Sequence, residues 1–167
     1  MIKNNNPKVL VFTDCYIYGG SERLMAFLMQ NNIINDSFNI SLAYRYSMTY
    51  RIGMRSDYKR IDTGKIYSLP LLSNETLFHR INCFNTNSVT KFFAKLPFFL
   101  IEKLFFYFIW NLIVFSFFVK KFGADIIHIN NGGYPGANSC KVLVLANYLF
   151  GHAKILYQVN NQASVAQ

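Results

Sequence analysis

Paired cysteines are missing from this chain. Cys15, Cys83 and Cys140 are odd in number and far apart, which excludes a disulfide framework and offers no zinc-ligand spacing. Free thiols in a reducing cytosol follow. The three histidines, His79, His128 and His152, give no thiol an obvious catalytic partner. Acidic residues are scarce as well: 8 Asp+Glu stand against 17 Lys+Arg, a net charge of +9. That balance admits nucleic acid, an anionic membrane surface or a phosphate-bearing ligand. Neither a zinc-module spacing nor an aromatic ribonucleoprotein motif is present, so no nucleic-acid partner is expected. The first seven residues, Met1 to Pro7, are polar and lack the apolar core of a signal peptide, so secretion is not expected. Internal repeats and low-complexity linkers are absent. What remains is 167 residues, 52% hydrophobic and 17% aromatic. That apolar content argues against disorder, and the length suits one domain with a real core better than two.

Short apolar runs alternate with helical patterns. Lys8 to Thr13 (KVLVFT) is apolar inside and suits a strand buried on both faces of a parallel sheet. Ser21 to Asn32 carries Leu24, Phe27 and Leu28 at helical spacing, with Met25 and Met29 beside them and Ser21 as candidate N-cap. Phe38 to Tyr44 reads as a second strand and Lys65 to Leu69 as a third. A short helix is expected over Glu75 to Phe84, then a turn at Asn85 to Ser88. A helical belt follows from Val89 to Phe122, with a break at Pro97 and a stop at Gly123 in the C′ position. Asp125 to Asn130 and Ala153 to Val159 are strands around a helix from Ala137 to Phe150. The alternation predicts an α/β fold: one domain, 1 to 167, with a doubly wound, mostly parallel, Rossmann-like sheet.

Two stretches stand out by composition. Basic residues thicken at Arg45, Arg51, Arg55, Lys59, Arg60 and Lys65, with Tyr44, Tyr46, Tyr50 and Tyr58 interleaved. This is either a solvated loop or a surface that grips phosphate or lipid headgroups. The second is LPFFLIEKLFFYFIWNLIVFSFFV, Leu96 to Val119, followed by Lys120 and Lys121. Its clean part, Leu104 to Val119, is somewhat short of the ~20 residues that cross a bilayer. On one continuous helix Glu102, Lys103, Lys120 and Lys121 share a face with Phe106, Trp110, Ile113 and Phe117. A helix packed on the sheet with its outer side on lipid, a core helix and a membrane span all remain open. The first is the working expectation, with Phe106, Trp110, Ile113 and Phe117 as membrane contacts and lysines snorkelling to anionic headgroups.

Three turns follow the strand-like runs: Tyr18 to Arg23, Asn130 to Gly136, and Val159 to Asn161. In an open parallel sheet, ligands bind outside the carboxyl ends of the strands. Gly19, Gly20, Ser21 and Glu22 place backbone N–H groups and a helix start at a strand tip, an anion site by construction. Their pattern is neither the dinucleotide fingerprint nor the P-loop. Asn130, Asn131, Gly132 and Gly133, with Asn160 and Asn161, present amides and bare backbone to a hydroxyl-rich ligand. His128 is read as structural.

At these residues the chain resembles a known family. KVLVFTDCYIYGGSERLMAFL is similar to the opening strand, Gly-Gly loop and first helix of glycosyltransferases of family 4, which have the GT-B fold. FGADIIHINNGGYPGANSC followed by KVLVLANYLFGHAKILYQVNN is similar to a later strand, helix and strand of the same amino-terminal domain. Between Arg45 and Lys121 only the general layout matches. The resemblance implies retaining transfer of a sugar from a nucleotide-sugar co-substrate, typically without metal and with no covalently bound cofactor. The acceptor is implied to be a membrane-associated glycan or lipid-linked molecule, handled in the cytoplasm on the inner face of the membrane. It further implies that Gly19 and Gly20 lie near the donor phosphates and that this domain mainly binds acceptor. Two departures stand. Asn160 takes the place where many relatives carry a His beside the reacting sugar. The donor domain's two glutamates, separated by seven residues, have no counterpart, because Glu22, Glu75 and Glu102 are the only glutamates. The expectation is therefore half of a GT-B fold, inactive by itself, with a separate donor domain as partner. The rival expectation is a non-enzymatic membrane-associated protein anchored through residues 96–119.

Overall fold

The computed structural model describes residues 6–57, 65–130 and 138–159. Five strands form one all-parallel sheet in the order β3-β2-β1-β4-β5. They are β1 (Lys8–Thr13), β2 (Asn39–Arg45), β3 (Ile66–Leu69), β4 (Ile126–Asn130) and β5 (Lys154–Tyr157). The helices are α1 (Gly20–Gln30), α2 (Asn32–Ser37), α3 (Met48–Asp57), α4 (Asn74–Cys83), α5 (Ser88–Lys103), α6 (Phe106–Phe122) and α7 (Asn138–Phe150). The expected Rossmann-like α/β architecture is present, and its sheet is parallel throughout.

Alternation along β1 divides the core into two layers. Leu10 and Phe12 join Phe115 and Val119 of α6 and Cys140, Val142, Leu143 and Ala146 of α7. Val11 faces the other way, into Met25, Ala26 and Met29 of α1 and Tyr50 and Met54 of α3. Helices therefore cover both faces. Phe12 meets Phe115 edge to face at 5.2 Å. Connections run from β1 toward β2 on one side and from β4 toward β5 on the other. The strand order thus reverses between β1 and β4, where such sheets bind ligands.

Several sequence expectations need correction. The buried face of α1 is the methionine face, Met25 and Met29 with Ala26, while Leu24 and Phe27 are exposed. The N-cap is Gly19 and not Ser21, which lies inside the helix. The basic stretch is no loop: it contains α3, and Tyr44 and Tyr50 stack at 4.8 Å inside the core. Arg45 is buried and does not belong to a basic surface. Lys59 and Arg60 lie outside the described residues. The belt is not one helix broken at Pro97. Helix α5 runs through Pro97, and the chain bends by 57° between α5 and α6. Phe105 makes that bend in the left-handed region, φ 57°, and Glu102 and Lys103 therefore do not share a helix face with Phe106 to Phe117. Gly123 ends α6 as expected, at φ 62°.

Helix α6 is anchored to the chain after β3 by two side chains: Trp110 Nε1 donates to the Pro70 carbonyl at 2.9 Å, and Asn111 holds Leu72. Asn111 donates to the Leu72 carbonyl at 3.0 Å and accepts from the Leu72 N–H at 2.8 Å, imitating a strand neighbour for the chain leaving β3. Asn147 of α7 does the same for Ala153 before β5, at 2.9 and 3.2 Å. Both asparagines are buried, where an unpaired backbone group would be costly.

Candidate functional site at the carboxyl edge of the sheet

Parallel register fixes the site. Thr13 lies opposite Tyr44 on one side and Asn130 on the other, so β1, β2 and β4 end together. One residue beyond Thr13, Asp14 reaches Arg45, the last residue of β2. Arg45 Nε and Asp14 Oδ1 are 2.8 Å apart, with the two side chains 3% and 8% exposed. The Ser139 hydroxyl, in the first turn of α7, donates to the other Asp14 oxygen. Arg45 Nη1 donates to the Ser73 hydroxyl, and Ser73, the N-cap of α4, makes no side-chain bond to that helix. Two strand ends and two helix starts are thereby tied through one buried ion pair.

A cavity of about 450 Å³ opens beside this pair, within the ~300–1,000 Å³ usual for ligand sites. Asp14, Arg45, Ser73, Asn74, Asn111 and Ser139 form its polar floor, and Phe105, Tyr107 and Phe108 from the α5–α6 bend form an aromatic wall. Glu102 and Lys141 sit at its exposed side. Asn74 is buried, donates to Glu102 Oε2 and to the Phe98 carbonyl, and keeps an Oδ1 that finds no hydrogen-bond partner among the described residues. A buried acceptor of that kind asks for a donor from a ligand or water. Burial, with Glu102 nearby, pushes the Tyr107 phenol up, so it remains a donor at neutral pH. The first residues of α7, Asn138 and Ser139, bring the positive helix end to the same space. The arrangement offers donors, acceptors and an aromatic face. Asp14 is committed to Arg45 and Ser139.

The Gly-Gly loop occupies the neighbouring strand tip, and its chemistry differs from the expectation in part. Glu22 is 2% exposed. Its carboxylate accepts from the Gly19 N–H at 3.1 Å and from the Thr13 hydroxyl at 3.2 Å. It fastens the loop to β1 and does not face solvent. Arg23 lies outside, 3.5 Å from Asp57. Gly20 is exposed, and a side chain there would meet nothing within 4 Å. Ser21 is half-buried. Asn130 is fully buried at the tip of β4. Asn131, Gly132, Gly133, Asn160 and Asn161 lie outside the described residues, though the strands that lead to them end at the same edge. His128 pairs with the Gln158 side chain at 2.8 Å, linking β4 to the chain beyond β5. Phe106, Trp110, Ile113 and Phe117 are exposed along one face of α6.

Sequence reasoning missed Asp14, Arg45, Ser73, Asn74, Asn111 and Ser139. For the first two a signal existed: once Lys8 to Thr13 and the following strand pair in parallel, their next residues fall side by side. Among the described residues no group of three His, Cys, Asp or Glu side chains converges to hold a metal ion. Comparison with protein-family profiles, with curated proteins and with solved structures returned no match to this chain.

Proposed function

We propose that this chain is the acceptor-handling half of a GT-B glycosyltransferase similar to family 4, taking a membrane-associated glycan or lipid-linked acceptor at the carboxyl edge of its sheet. One observation carries the reading: a cavity at the strand tips that combines the orphaned Asn74 acceptor, the Asn111, Ser73 and Ser139 polar groups and an aromatic wall. Sugars present alternating hydroxyl donors and acceptors around an apolar ring, and this lining is complementary to both. The strand order and the exposed Gly20 backbone beside the switch point support the same reading. Donor chemistry is assigned to a partner domain, since the three glutamates here include no pair of the required spacing.

The experiment is saturation-transfer NMR with a panel of water-soluble oligosaccharides, followed by a transfer assay with nucleotide sugars. The expected result is saturation of acceptor sugar protons and no transfer product. Turnover by this chain alone overturns the half-enzyme part. A folded protein that saturates no glycan overturns the acceptor part. A second reading, a non-enzymatic protein anchored through residues 96–119, is favoured by the apolar exposure of α5 and α6. It requires resistance to alkaline carbonate extraction.

A further inference from the structure

Helices α5 and α6 carry their apolar stripes outward. On α5, Val89, Phe92, Phe93, Leu96 and Leu100 recur at helical spacing and all are exposed, and α5 buries no residue. On α6, Phe106, Ile109, Trp110, Ile113 and Phe117 do the same, with Phe117 74% exposed. The opposite face of α6 is the one in the core, through Asn111, Phe115 and Val119. A stripe of this extent exceeds what isolated surface apolar residues account for and marks a docking face. No single helix among the described residues is long and apolar enough to cross a membrane, and the pair that together meets the criterion is bent by 57°.

Charge identifies the occupant. Residues 88–122 hold Lys91, Lys95, Lys103, Lys120 and Lys121 against Glu102 alone. Lys121, one turn beyond Phe117, lines a second cavity of about 410 Å³ together with Lys8 and Lys65, at the amino edge of the sheet. The apolar stripe of α6 thus ends at a cavity lined by three lysines and by Tyr67, Phe118 and Phe122. Apolar helical faces bordered by lysines are the pattern of interfacial helices on anionic lipid. We infer that α5 and α6 lie as a bent pair in the interface of an anionic bilayer, with their exposed stripes among the acyl chains and the Lys8–Lys65–Lys121 cluster receiving a lipid phosphate. The seating does not depend on the sugar-transfer reading.

The test uses the full chain with vesicles of phosphatidylcholine, alone or mixed with phosphatidylglycerol. Trp110 is the only tryptophan and lies in the stripe, so its emission should shift to the blue and be quenched by brominated acyl chains. Binding to anionic vesicles should be at least about tenfold tighter than to neutral ones and fall with salt. Lys121→Glu should erase that preference. Phe106→Glu with Phe117→Glu should weaken partitioning at least about tenfold while circular dichroism and melting temperature stay unchanged. Equal binding to both vesicles, indifference to these substitutions, a stable dimer that covers Phe117 and binds no vesicles, or retention in the carbonate pellet would each overturn the proposal.

Discussion

Arg45 Nε lies 2.8 Å from Asp14 Oδ1 at the tips of two adjacent parallel strands, in a site almost closed to water. The pair exists because Thr13 and Tyr44 are register partners. Their successors, Asp14 and Arg45, have nowhere else to go. A buried ion pair carries a large desolvation cost, so removing one partner is worse than removing both. Arg45→Met should lower unfolding free energy by about 3–5 kcal/mol, read from urea melts. The Asp14→Asn, Arg45→Met double variant should recover much of that loss. If the double variant is the less stable, the pair is worth more than its desolvation cost.

The Gly-Gly loop separates fold from binding. Glu22→Ala leaves the Thr13 hydroxyl and the Gly19 N–H without their carboxylate and should cost about 1–3 kcal/mol. Gly20→Ala meets open space and should leave stability unchanged or raise it by up to about 1 kcal/mol. A ligand that approaches the bare backbone should nevertheless bind the Gly20→Ala protein less well, by calorimetry.

Gly123 stops α6 at φ 62° with nothing near its missing Cβ. The penalty for a side chain there is therefore backbone strain alone. Gly123→Ala should cost about 1 kcal/mol, and Gly123→Asn less, because Asn tolerates the left-handed region. Thermal melts of the two variants check the order.

The thiols should differ sharply in reactivity. Cys140 is fully buried, and burial, with Asp14 nearby, pushes its thiol far up. Cys83 is exposed. The thiolate is the reactive form, so DTNB should label Cys83 rapidly at pH 8 and Cys140 only after unfolding. Because Cys140 is held neutral, raising the pH to 9.5 should not expose it to reagent in the native protein.

Asn111 clamps α6 to the chain after β3. Asn111→Leu keeps the volume but orphans the Leu72 N–H and carbonyl, and should cost about 2 kcal/mol or more. Chemical denaturation measures it, and the aromatic wall of the cavity should loosen with it.

Much of the sheet was legible because its signals are local. The runs at Lys8–Thr13 and Ile126–Asn130 are largely buried, the first with an unbroken apolar centre from Val9 to Phe12 and the second interrupted only by His128 before its final Asn130. Helix α3 was hidden because its inward residues, Tyr50 and Met54, sit among arginines that face out. The bend at Phe105 was hidden for another reason. Pro97 is the local suspect, but tertiary anchors set the break, with Glu102 held by Asn74 on one side and Asn111 held by Leu72 on the other. The cavity itself was illegible, since Ser73, Asn74, Asn111 and Ser139 come together only through the crossover from β3 to β4 and the start of α7.

The sharpest test of a sugar-binding edge is residue-by-residue mapping of where a glycan lands. Amide shift perturbation by ¹⁵N-labelled NMR, with a soluble oligosaccharide that the protein binds, should move Asp14, Ser73, Asn74 and Ser139 and leave the amino edge around Lys8 and Lys65 still. Perturbations confined to the amino edge, or to the exposed stripes of α5 and α6, would contradict the account.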